Sequence, residues 1–80
     1  MFRITYLNRL TGDRERYMNN TAWDTREDAE YEIDRLKKMS EDWLKKSVEE
    51  LRSMANSGTI LRSWSIGKDW KTQPVKLRSL

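Results

Sequence analysis

The chain predicts an α+β fold: a single small ββαβ domain whose three-stranded antiparallel sheet, order 2-1-3, packs on one long helix, continuous or only bent. Three observations carry this. Residues 2–20 hold two strand-like runs around a Gly-containing turn. A single polar-apolar pattern of helical period then continues from Asp24 to about Asn56, and alternation returns in Thr59 to Ile66 with Arg62 intruding on the apolar face. A strand that returns after a right-handed crossover lies most naturally beside the first strand, which gives the order. The domain is expected over residues 1–70, with 71–80 as an extended basic tail.

In the first strand, Phe2-Arg3-Ile4-Thr5-Tyr6 alternates apolar and polar side chains with the period of a half-buried strand. Thr11-Gly12-Asp13 supplies the turn, because Gly tolerates the positive φ of a tight hairpin. A two-residue loop at Thr11-Gly12 places Tyr6 opposite Tyr17, on the face shared by Phe2 and Ile4. A longer loop shifts the register and brings Met18 to that face instead. Arg9, Arg14 and Arg16 cluster around the hairpin end, either as a solvated surface or as a ligand-reading group.

The helix begins at Asp24-Thr25-Arg26-Glu27, which has the capping-box form, with Trp23 packing near Ala29 as a hydrophobic staple. Its apolar stripe runs through Ala29, Ile33, Leu36, Trp43, Leu44, Val48, Leu51, Met54 and Ala55, and lapses at Ser40. About 32 residues of helix span about 48 Å, whereas an ordinary strand covers ~17–20 Å, so part of the helix has no sheet to rest on. Ser40-Glu41-Asp42 offers a break and a second cap. No Gly or Pro lies between Asp24 and Ser57, however, and a continuous or bent helix is favoured. Ser47-Val48-Glu49-Glu50 repeats the capping-box form within strongly helical surroundings and reads as incidental. Gly58 ends the helix.

The third strand is expected at Thr59–Ile66, with Ile60, Trp64 and Ile66 on one face. Gly67-Lys68-Asp69 then turns the chain. Pro74 opposes both helix and central strand, so the residues beyond Trp70 read as a tail.

Composition narrows the function. Eighty residues suit one domain with a small core. Charged residues make up 36% of the chain and mean hydropathy is -0.98, but eight aromatic residues argue for a folded protein. The absence of cysteine removes disulfides and thiolate metal sites, and makes a cytoplasmic setting the default expectation. Apolar runs are too short for a membrane span, and without a signal-peptide apolar region Met1 is expected to begin the working protein.

Chemistry-bearing motifs are sparse. No His is present to act as a base or a metal ligand, and Gly12, Gly58 and Gly67 match no phosphate-cradling spacing. A non-catalytic protein without cofactor, metal or small-molecule substrate is therefore expected. A ribonuclease using Arg14, Arg16 and Tyr17 is the least strained catalytic alternative.

Two binding classes remain. The apolar stretch Trp43, Leu44, Val48, Leu51 and Met54 exceeds what a three-stranded sheet can cover. It predicts a protein partner, or self-association, through the second half of the helix. The alternative is nucleic-acid binding by Arg62, Lys68, Trp70, Lys71, Lys76 and Arg78, where aromatics interleave with cations. In residues 58–80 the only acid is Asp69, whereas Asp24, Glu27, Asp28, Glu30, Glu32 and Asp34 crowd the helix start. Carboxylates there also suit the helix dipole.

In its small size, charge richness and lack of cysteine, the chain is similar to accessory proteins that bacteriophages and mobile elements use against host machinery. That likeness implies an inhibitor seated on a larger host complex.

Overall fold

The computed structural model describes residues 1–75, and the α+β layer forms with the expected topology. Strands β1 (Phe2–Asn8), β2 (Arg14–Tyr17) and β3 (Gly67–Pro74) make an antiparallel sheet of order β2-β1-β3. Helices α1 (Arg26–Leu44), α2 (Val48–Asn56) and the single turn α3 (Ser63–Ile66) lie between β2 and β3 in the chain. No helix among the described residues is long and apolar enough to cross a membrane.

The hairpin register differs from the tight-turn expectation by two residues. Tyr17 pairs with Ile4, and Tyr6 faces Glu15. The cause is Asn8, whose side-chain carbonyl accepts from the Leu10 and Thr11 amides while its backbone bonds Gly12 and Asp13, closing a longer loop. A slip of two preserves sidedness, so Tyr17 still joins the core face. Met18 leaves the strand with φ 54° and stays exposed. Trp23 then bridges back to Phe2 through two backbone hydrogen bonds, of 2.7 and 2.8 Å, and its ring stacks on Tyr17.

The N-cap of α1 is Thr25, one residue after the expected Asp24. Its hydroxyl accepts from the Asp28 amide at 3.1 Å. The buried face is Ala29, Ile33, Leu36 and Ser40, at helical spacing. Ser40 is fully buried, and its hydroxyl donates to the Leu36 carbonyl at 2.7 Å. The lapse in the stripe is thus a small packing position that satisfies itself within the helix, not the interruption. The bend comes later, at Lys45–Ser47, where the long helical stretch divides into α1 and α2. The Ser47 capping signal, expected to be incidental, is the working cap of α2: its hydroxyl accepts from the Glu50 amide at 3.1 Å.

The third strand lies one element later than expected. Thr59–Leu61 is irregular with Ile60 80% exposed, and Ser63–Ile66 winds into α3, where the Arg62 amide donates to the Ser65 hydroxyl. β3 begins at Gly67 and takes in Lys71–Pro74, which were expected in the tail. The strand ends at Pro74, a position where a missing amide costs least. Gly67 permits the start of this strand: a Cβ there would lie 2.6 Å from the Ser63 carbonyl oxygen and 2.8 Å from the Trp70 ring.

The core joins Ile4 and Tyr6 of β1, Ala29, Ile33 and Leu36 of α1, and Trp70 of β3, with Phe2, Tyr17, Trp23 and Trp64 packed around it. Ring centroids of Tyr6 and Trp70 lie 4.9 Å apart, and Tyr17 meets Trp70 edge-on at 5.9 Å. Such pairs add ~0.5–1.5 kcal/mol each beyond area burial. Trp70, expected as a tether or a base-stacking ring, is therefore a keystone between sheet and helix. Leu51 is buried completely, apart from this cluster.

Candidate nucleic-acid interface

With Ile4 and Tyr6 facing α1, strand alternation turns Arg3, Thr5 and Leu7 to the opposite side of the sheet. Cross-strand pairing assembles that open face in three rungs. Leu7 lies between Arg14 and Lys68, Thr5 lies between Arg16 and Lys71, and Arg3 pairs with Gln73. Two rungs thus carry a cation at each end with a neutral residue in the middle. Arg14, Arg16, Lys68 and Lys71 are all exposed, and Arg3 is half-buried.

Lys68 and Lys71 are three residues apart, and in a regular strand they would point to opposite faces. A bulge between Thr5 and Leu7 in the pairing with β3 corrects the parity, and Asp69 takes φ 54° within it. The irregularity therefore places both lysines outward and still turns Trp70 into the core. Asp69 contributes the only carboxylate of the three rungs and their bulge. It pairs with Arg14 at 2.5 Å and stands 3.6 Å from Lys71. Arg14 also donates to the Thr5 hydroxyl and the Asp69 carbonyl, so its guanidinium is held flat across the sheet.

The acidic side chains lie elsewhere. Asp24, Glu27, Asp28, Glu30 and Asp34 are exposed at and along the first half of α1, in the layer behind the sheet. Glu15, on the helix-facing side of β2, accepts from the Tyr6 hydroxyl and the Asn8 amide nitrogen. Burial pushes the Tyr6 phenol up; the Ser63 hydroxyl opposes the rise and the Glu15 carboxylate adds to it. The helix layer thus carries both signs, since Arg26, Arg35, Lys37 and Lys38 stand among these carboxylates on α1, whereas the open sheet face carries cations with Asp69 alone.

The expected arginine cluster separates into distinct roles. Arg9 donates to the backbone carbonyls of Trp43 and Lys46 at the end of α1, Arg14 braces β3, and Arg16 is left exposed on the open face.

Of the residues expected to contact nucleic acid, Lys68 and Lys71 come together on this face. Arg62 is exposed at the N-cap of α3, Trp70 is buried, and Lys76 and Arg78 lie outside the described residues. Arg3, Arg14 and Arg16 complete the surface. Their signal in the sequence is the alternation of Arg3 with Phe2 and Ile4, which already marks the polar positions as the outward side.

The residues of the expected protein interface differ in burial. Leu51 is fully buried within the chain, Trp43, Val48 and Met54 are half-buried, and Leu44 alone is exposed, at 46%. Leu44 borders a groove of about 330 Å³ between α1 and β3, lined also by Lys37, Ser40, Glu41 and Trp70 and, at the β3 edge, by Lys68 and Asp69. Compared with known proteins, the chain matches no family model, no curated protein and no solved structure.

Proposed function

We propose that this protein is a non-catalytic nucleic-acid-binding module that holds phosphates on the open face of its sheet. The observation that supports this is the gathering of Arg3, Arg14, Arg16, Lys68 and Lys71 on one uncovered face with a single carboxylate among them. Guanidinium and ammonium groups on a broad surface neutralise a phosphate chain and release its counterions, which is the main sequence-independent source of affinity. A cytoplasmic setting, where nucleic acid is accessible, belongs to the same proposal. Titration of a labelled mixed-sequence oligonucleotide at about 50 and 200 mM salt tests it: affinity falls steeply between the two. No binding at the lower salt, or binding indifferent to salt, overturns it.

A second reading, contact with a protein partner or a second copy, is supported by the exposure of Leu44 beside the groove against Trp70. It is the form in which an inhibitor of a host complex would act. Leu44→Glu then abolishes self-association in sedimentation or capture of that complex and leaves oligonucleotide binding intact. An unchanged sedimentation coefficient and unchanged capture remove this reading.

A further inference from the structure

We infer that the occupant of the open face is double-stranded DNA, seated with one phosphate chain along each edge of the sheet; this rests on the nucleic-acid reading above and names its substrate. The first ground is what the face lacks. Phe2, Tyr6, Tyr17, Trp23, Trp64 and Trp70 are all committed to the core on the other side, Tyr31 stands on α1, and Trp43 is half-buried near the end of α1. Single strands are held largely by stacking of unpaired bases on exposed rings. The three rungs offer none, so they can recognise only the phosphate chain and the edges of a groove.

The second ground is the layout of the cations. Arg14 and Arg16 form one row on β2, Lys68 and Lys71 another on β3, and β1 runs between them. Neighbouring strands lie about 4.8 Å apart, so the rows are separated by about 10 Å at the backbone. The major groove of B-form DNA is about 12 Å wide and admits a two-stranded ribbon. A three-stranded sheet is one strand too broad to enter, so it spans the groove with its edges on the two phosphate chains. Within each row the rungs advance by two residues of β1, about 6.7 Å, comparable to the separation of successive phosphates on one DNA strand, which exceeds the axial rise of about 3.4 Å because the chain winds around the axis. The bulge at Asp69 is what gives the β3 row this spacing, because it sets Lys68 and Lys71 opposite Leu7 and Thr5. An A-form RNA duplex has a deep, narrow major groove and suits rows this far apart poorly.

The test compares a short DNA duplex, its single strand and an RNA duplex of the same sequence, each titrated with the full chain at about 50 mM salt, with the DNA duplex repeated at about 200 mM. The DNA duplex is expected to bind at least about tenfold tighter than either competitor. With Arg14 held by Asp69 and Thr5, three phosphate contacts, from Arg16, Lys68 and Lys71, give a slope of log affinity on log salt of about −2.7. Arg16→Ala and Lys68→Ala, on opposite edges, each flatten the slope by about one. Intrinsic Trp fluorescence stays unchanged on binding. Equal or tighter binding of single strand or RNA duplex, quenching of Trp, or a slope change in only one of the two variants overturns the inference and leaves the broader reading standing. No binding of any of the three nucleic acids overturns both.

Discussion

The guanidinium of Arg9 donates to the backbone carbonyl of Lys46 at 2.6 Å, and through its other terminal nitrogen to that of Trp43 at 3.1 Å. The last turn of α1 carries no basic residue of its own. A side chain from the β1-β2 loop therefore supplies the donors and the positive charge that the end of a helix requires. Arg9→Ala is expected to cost about 1.5–3 kcal/mol, the range for hydrogen bonds to a charged group. Arg9→Lys should recover only part, since an ammonium cannot fork between two carbonyls. Urea unfolding of the three proteins measures this.

Leu51→Ala removes a fully buried side chain and should destabilise the fold by about 2–5 kcal/mol. Ile60→Ser, at a site 80% exposed, should fall within about 0.5 kcal/mol of the parent. Chemical denaturation with a common slope distinguishes the two, and comparable losses at both sites would contradict the burial described above.

Gly67 is restricted by space, because its φ of -92° suits any residue. An added methyl would collide with backbone at Ser63 and with the rings of Trp70 and Tyr6. Gly67→Ala is expected to cost about 1–3 kcal/mol, typical of overpacking, and to lower the thermal midpoint. A loss of the near-ultraviolet circular dichroism of the Trp70 environment should accompany it.

Burial pushes the Tyr17 phenol above its ordinary value, with the Glu32 carboxylate adding to the rise and Arg35 opposing it. The folded state therefore holds this proton more tightly than the unfolded chain. Its contribution is fully present below pH 10.0 and is lost as pH climbs through the raised value. Urea midpoints measured from neutral pH to above that value should decline at the alkaline end, and decline less in Tyr17→Phe. Tyr6 adds a loss of the same sign.

Asp69→Asn keeps a residue that tolerates positive φ and removes the carboxylate from the open face. Oligonucleotide affinity at low salt should rise a few-fold, equivalent to up to ~1 kcal/mol. Thermal stability should change little, because Arg14 retains its bonds to the Thr5 hydroxyl and the Asp69 carbonyl.

Much of the fold is legible in the residue pattern, because period alone separates strand from helix and orders the elements. Three features escape it, each for a physical reason. The segment Thr59–Ile66 alternates well, yet its side chains find no partner strand. Gly67–Pro74 has a single apolar residue and pairs because Trp70 fits the space between Tyr6 and Tyr17. Packing outweighs propensity there. The interruption of the helix is marked locally by the Ser47 cap, but the donor that satisfies the carbonyls of Trp43 and Lys46 is Arg9, more than thirty positions away, and no local window contains it. The open face is half legible: Arg3 shows by alternation, while Lys68 and Lys71 share a side only through a bulge that spacing cannot reveal.

The order β2-β1-β3 makes β1 the middle strand, with edges filled from opposite distances. Its pairing with β2 closes a loop of a few residues, whereas Phe2 must meet Pro74 across nearly the whole described chain. Loop closure over that span precedes any reward from the contact, so the hairpin should assemble early and β3 dock last. Until it does, the N-terminal strand carries Ile4 and Tyr6 beside a row of unpaired amides, a surface that invites another strand. A chain that stops before Gly67 would keep that surface permanently, and its fate is aggregation rather than a smaller version of the same domain.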